Sequence, residues 1–526
     1  MRRIQPLGLL FSLCAIAGCT VGGSTPAPGS RQTGPAPAGG GPGSNAAPGN
    51  TPAPGNGSGS GSATSADAGS AGGSLPTPPA GKAMIRVVHA SPDAPNVDVY
   101  AAGNSTPIVT GLGYGQTSAW IEVDSGTVGV ELRASPSTAT SPLVYATGPL
   151  TIADQADITA VAAGLAASAN ADDSLRVIPL INSFAATAPM TARVRVLHAG
   201  ADAPTVDLDV GNQNPTAPAV TGLARFADTG ASGVALPSGQ ALALGIDVAG
   251  ARVTAFTTPE LADGADILVV ATGLLGSLAR QSSGFSLLIV GPNGNLGFVQ
   301  QDPLVYALHA SPDAPEVDAF VGENKLIDGL SFGQLTAPMQ VQPGTYQVDL
   351  FPHADGPTRP AGAPVLSQPV GSLAAGQRYL AVATGFLTPP AGAQPLQLGA
   401  IQENFTLGDT GARLRAIHES PDAPAVDIGI VALNSIAPVL FGGLAFGASS
   451  PDTGLAATPG QLPVGVAPAG MDNTIVSRFT IPATSGQRAF VIAEGALSPP
   501  PGDQAFRLGV IDTVTSPWTV KHVFPQ

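Results

Sequence analysis

Cysteine is nearly missing from this chain. Two occur in 526 residues, Cys14 and Cys19. Both precede residue 20, so nothing later rests on a disulfide or a thiolate metal site. Charge is scarce as well. Asp, Glu, Lys and Arg make up 11% of the residues, against about 25% in an average soluble protein. Basic residues are the minority, 21 against 36 acidic, and the net charge is −15. Binding a polyanion needs clustered Lys and Arg, and no basic run exists, so nucleic acid is not an expected partner. No stretch of about 18 apolar residues runs without Gly, Pro or polar interruption, and no transmembrane helix is expected. Convincing helical periodicity is absent too.

The first residues read as a processing signal. Arg2 and Arg3 precede an apolar run, Leu7 to Ile16, that ends in Ile16-Ala17-Gly18-Cys19. The run is too short to span a bilayer. Its end resembles a bacterial lipobox, which places a lipid on Cys19 and gives residues 1–18 as a lipoprotein signal peptide. Acyl chains contribute roughly 0.8 kcal/mol per buried methylene. The membrane is therefore an expected partner through this anchor. The expected location is the cell envelope, as an outer-membrane lipoprotein at the surface or in the periplasm. Ala15-Ile16-Ala17 also fits an ordinary signal-peptidase site, and cleavage before Gly18 would give a freely secreted chain.

Residues 19–82 are almost entirely Gly, Pro, Ser, Ala, Thr and Asn, with Arg31, Asp67 and Lys82 the only charges. Such a composition cannot bury enough apolar surface to offset its ordering entropy, and a disordered tether is expected.

Beyond the tether one phrase occurs four times: RVVHASPDAPNVDVY, RVLHAGADAPTVDLD, YALHASPDAPEVDAF and RAIHESPDAPAVDIG. Its histidines are His89, His198, His309 and His418, spaced by 109, 111 and 109 residues. That period suits a complete sandwich domain rather than a propeller blade or a helical repeat. Other landmarks recur in order. A Gly-Leu pair stands at 111, 222, 329 and 443, followed by an aromatic at Tyr114, Phe226, Phe332 and Phe446. A β-branched run ends at Gly164, Gly273, Gly385 and Gly495. The expected domains are 83–188, 189–301, 302–407 and 408–526.

The third copy shows the strand pattern best. Leu304–Leu308, Val317–Val321, Met339–Val341, Tyr346–Phe351, Val365–Val370, Tyr379–Thr384 and Leu396–Ile401 are short β-prone runs between turn residues. Seven short strands in about 100 residues predict an all-β chain of four tandem immunoglobulin-like antiparallel sandwiches.

The turn chemistry of the phrase is legible. Pro92 presets φ, Asp93 can accept from backbone two residues on, and Pro95 forces an extended exit. The second copy has Gly200-Ala201 for Ser-Pro, so the phrase serine is no nucleophile. His89 ends one strand and Asp98 stands in the next. If those strands pair, the side chains meet. The equivalent pairs are His198/Asp207, His309/Asp318 and His418/Asp427, with Asp93, Asp202, Asp313 and Asp422 in the intervening turns. Two readings stand: a structural clasp, with imidazole bonded to carboxylate or turn backbone, and a site for a ligand or metal. One His and two Asp are few ligands, and neither His-x-His spacing nor the calcium-loop pattern occurs, so no metal and no cofactor is expected.

The phrase gives residues 83–526 a resemblance to four copies of the bacterial domain of unknown function 4397, whose hallmark is an H-x-S-P-D-A-P-x-V-D-V opening. That resemblance implies extracellular or lipoprotein β-domains and brings no catalytic residues.

Gly329-Leu330-Ser331-Phe332-Gly333 matches a hydrolase nucleophile pattern, but that elbow needs a strand–turn–helix context. The sibling copies put Gly113, Ala224 and Ala445 at the serine. His353 and His522 lack counterparts and are expected at the surface. The function expected is non-enzymatic: binding or adhesion at the cell surface, to a glycan or protein ligand, or alternatively a purely structural spacer or coat.

Overall fold

The computed structural model describes residues 77–211 and 215–526. The signal peptide, Cys19 and most of the tether lie outside these residues. The described chain contains strands and turns only. No helix among the described residues is long and apolar enough to cross a membrane.

The same strand order occurs four times. Each repeat opens with the phrase strand: Lys82–Ala90, Thr191–His198, Leu304–His309 and Ala412–His418. Lys82, placed last in the tether by composition, begins the first of them. The second strand is Val97–Ala101, Val206–Val210, Val317–Val321 or Val426–Ala432. A core strand follows at Asp157–Ala163, Asp266–Thr272, Arg378–Thr384 or Arg488–Glu494. A closing strand ends the unit at Arg176–Ile181, Ser286–Gly291, Gln397–Gln402 or Arg507–Asp512.

Opening and second strands belong to different sheets. The first sheet is ordered closing, core, opening and a short edge strand; the second strand sits inside the other sheet. In all four first sheets the opening and core strands pair in parallel. A parallel pair needs a long crossover, and here the whole second sheet forms it. The third repeat also has a strand, Asn324–Leu330, at the edge of its second sheet. Its alternation of polar residues and its glycine hid it among turn residues.

Repeats pack in pairs. Val88, Ala90, Val161, Ala163 and Leu180 of repeat 1 form one cluster with Leu197, Ala199, Leu268, Val270 and Leu288 of repeat 2. Tyr306, Leu308, Leu380 and Val382 of repeat 3 do the same with Ile417, Phe490, Ile492 and Ile511 of repeat 4. Neighbouring residues on the opening strand point opposite ways: Val87 enters its own sandwich and Val88 the pair interface. Each first sheet is therefore covered on both faces. This explains why its core strands read as unbroken apolar runs rather than alternating ones.

The even repeats carry one more strand, Gly294–Gln300 and Thr519–Val523, at the edge of the first sheet. It reaches the odd partner. Phe298 packs on Tyr114 at 5.4 Å, and Trp518, just before the second such strand, stacks on Tyr306 at 4.1 Å.

Candidate functional site

The four histidines sit at or next to the end of the opening strand, each 1% exposed. In repeat 1 the Nε2–H of His89 donates to the Pro95 carbonyl at 3.0 Å. Its Nδ1 accepts from the Ser91 amide at 3.4 Å. The same Nε2 bond reaches Pro204 at 2.8 Å, Pro315 at 3.0 Å and Pro424 at 3.0 Å. A carbonyl can only accept, which fixes the proton on Nε2. Burial pushes all four imidazoles below their ordinary pKa, so the ring is neutral and holds the turn shut.

The turn aspartate ties its own loop to the loop after the neighbouring core strand. Asp93 accepts the amides of Ala166 and Ala167 at 2.8 and 2.9 Å, one on each oxygen. Asp202 does this for Leu275 and Gly276, Asp313 for Leu387 and Thr388, and Asp422 for Leu497 and Ser498. Those amides follow the glycine that ends each core strand. At Gly164, Gly273, Gly385 and Gly495 φ lies between +80° and +93°, and a Cβ would meet a carbonyl oxygen at 2.0–2.4 Å. Only glycine brings this loop close enough for the aspartate to hold it.

The second aspartate closes another loop. Asp98 accepts from the Gly111 amide at 2.8 Å and from the Ser137 amide and hydroxyl at 2.8 and 2.7 Å. Burial opposes its ionisation, but these hydrogen bonds hold its pKa below the ordinary value. Asp207 receives Gly222, Asp318 receives Gly329, and Asp427 receives Gly443 and Gly470.

The expected meeting of His89 with Asp98 does not occur, nor does it in the other copies. Their strands lie in opposite sheets and never pair. Each group bonds backbone instead. The phrase is thus a three-point clasp. The imidazole closes its own turn, one carboxylate holds the loop after the core strand, and the other holds the Gly-Leu turn. Where the phrase keeps its serine, the hydroxyl is engaged too, with Ser91 donating to Asp93 at 3.2 Å. Groups committed this way have little capacity left for substrate.

Several residues stand elsewhere than their sequence context implied. In repeat 2 the residue in register with Tyr114, Phe332 and Phe446 is Arg225, while Phe226 takes the place of Gly115, Gly333 and Gly447. Its amide donates to the His198 carbonyl as theirs do to the equivalent histidines, and its φ is +63°. Arg176 lies over its ring at 3.9 Å. Ser331 stands in a turn before the short strand Met339–Gln340, with no helix after it.

His353 is exposed, as expected, and pairs with an acid, whereas His522 is half-buried beside one. Nδ1 of His353 lies 2.8 Å from Asp318, and Nδ1 of His522 lies 3.0 Å from the fully buried Glu494. Glu494 also receives Nε of Arg507 at 2.7 Å, and Arg507 covers Phe332 of the partner repeat at 4.4 Å. Of these contacts, the one between Arg507 and Phe332 crosses the pair interface, which the repeat pattern alone does not reveal.

Asp318, Asp328 and His353 are near enough to share a cation. The ammonium of Lys325 already lies between the carboxylates, 2.8 Å from Asp318 and 2.7 Å from Asp328, and donates to the Ala354 carbonyl at 3.0 Å. Burial works against ionisation of Asp318, yet bonds from Lys325 and His353 bring its pKa down to about 2. A metal would have to displace this lysine.

Two segments, 83–209 and 303–429, match the model of a family described as a domain of unknown function, DUF4397. The matches support this family for those segments and share one register with the pairs. Each begins at the opening strand of an odd repeat and ends within the second strand of the even repeat that follows. No curated protein matches the chain.

Proposed function

We propose that the chain is a non-enzymatic envelope lipoprotein, attached through Cys19, whose four related modules bind a glycan or protein ligand at the cell surface. One observation carries the reading. Pairing covers the first sheet of every repeat, and the clasps commit the recurring His and Asp groups to the backbone. What repeats on the outside is the second sheet; in repeat 3 its edge strands Leu366–Leu373 and Asn324–Leu330 alternate exposed and half-buried residues over most of their length. Four copies of one outward sheet on one chain suit weak, multivalent engagement, where effective concentration multiplies affinity. The family resemblance of all four copies and the lipobox at Cys19 belong to the same reading.

The test is a binding screen of the full chain against glycans, peptidoglycan and matrix proteins. Saturable binding that weakens when residues of an outward sheet are changed supports it. Absence of binding across the screen favours a structural spacer. Mass analysis of the mature N-terminus tests the anchor: an acylated Cys19 is expected, and a chain starting at Gly18 refutes it.

A further inference from the structure

The four sandwiches are not equally filled. Repeat 4 encloses a cavity of about 300 Å³ between its sheets, against about 80 Å³ in repeat 3 and about 60 Å³ in repeat 2. Strand register shows the origin. On the short edge strand, Val123, Leu236 and Val341 of the first three repeats correspond to Ala457. In the second sheet, Leu132, Ile246 and Leu350 correspond to Val466. On the core strand, Ile158, Ile267 and Tyr379 correspond to Ala489. Repeat 4 is smaller at all three inward positions. Ala457 and Val466 line the cavity, and Ala489 belongs to the same core.

The space is elongated. It runs past Val426, Ile428 and Ile430 on one strand and Leu462, Val464 and Val466 on the neighbouring one. Four residues of strand span about 13 Å. Val476 lines it and is also 43% exposed, so the cavity reaches the surface. The only polar residues on its wall are His418 and Thr458, and no charged residue contributes. His418 already donates to Pro424.

Apolar cavities stay dry and take apolar guests, and about 150 Å³ holds benzene. By that ratio about 300 Å³ holds about twelve carbon atoms. The geometry points to repeat 4 as a binding site for one uncharged aliphatic chain of about that length. A space that follows the strands in this way suits a chain better than a fused ring system. A wall without Lys or Arg, on a chain of net charge −15, selects against an anionic end. This site is independent of the outward sheets, so either reading can fail while the other stands.

The test is calorimetric titration of the full chain with 1-dodecanol and, separately, dodecanoate. One dodecanol site per chain is expected, with dodecanoate at least tenfold weaker. The double substitution Ala457→Leu, Val466→Leu fills the slot and should weaken dodecanol at least tenfold. Should that variant fold poorly, Ala416→Val, which restores the residue of repeats 1 and 2 at another wall position, should weaken it by a smaller factor. No saturable dodecanol binding, or equal binding by the wild-type and filled chains, would overturn the proposal.

Discussion

Glu419 offers a sharp test of how the pairs are built. Repeats 1, 2 and 3 carry Ala90, Ala199 and Ala310 after the phrase histidine; repeat 4 carries this glutamate. Its backbone carbonyl accepts from Thr384 of repeat 3 at 2.9 Å, and the residue is only 4% exposed. One carboxyl oxygen has no partner. Burial, only partly offset by a hydrogen bond from Thr384, pushes its pKa from 4.5 up to about 7. The folded state therefore keeps a proton that the unfolded state loses near pH 4.5. The contribution of Glu419 to stability falls as pH rises from about 4.5 to about 7 and is level above that. A gap of about 2.5 units at 1.36 kcal/mol each is about 3 kcal/mol. Glu419→Gln removes this cost without changing shape. At pH 8 the variant should be more stable by up to about 3 kcal/mol, and at pH 4 by close to nothing. Urea unfolding of both proteins at the two pH values measures the difference, and all other titrating groups cancel in it. An equal gain at both pH values, or none at pH 8, would refute the reasoning.

Two further outcomes follow from the clasp. Asp313→Ala leaves the Leu387 and Thr388 amides without their acceptor. Because Thr388 can turn to water, the cost should be about 2 kcal/mol, with Asp313→Asn losing less; an unchanged urea midpoint would refute the loop-tying role. The four phrase histidines should titrate below 6.5 in an NMR pH series, and His353, raised by its bond to Asp318, above it. The unfolded chain takes the phrase protons first, so each of the four lowers stability as pH falls below about 6.5, until the folded pKa is reached. A phrase histidine titrating at or above 6.5 would contradict the buried neutral ring.

The sequence by itself determined the all-β class, the fourfold repeat and the turn logic of the phrase. Those features are local or periodic, and a one-dimensional pattern carries them. Pro95 sets an extended exit whatever surrounds it, while Gly164 permits the left-handed turn that the packing of its loop requires. The pairing of repeats was also signalled, in unbroken apolar runs such as Leu268–Ala271 and Leu380–Ala383. Such a run says that both faces are covered and leaves open what covers them.

Tertiary structure alone decided the partners. His89 and Asp98 are nine residues apart yet lie in opposite sheets, so the acceptor of His89 is a carbonyl six residues on and the donors to Asp93 lie more than seventy residues away. Arg507, Glu494 and His522 meet because three neighbouring strands of repeat 4 set them side by side, and Arg507 reaches Phe332 of repeat 3 through the pairing of the repeats. The slot in repeat 4 follows the same rule. Ala457, Val466 and Ala489 are unremarkable in sequence, and only the register that sets them across one core makes their small size add up to a cavity.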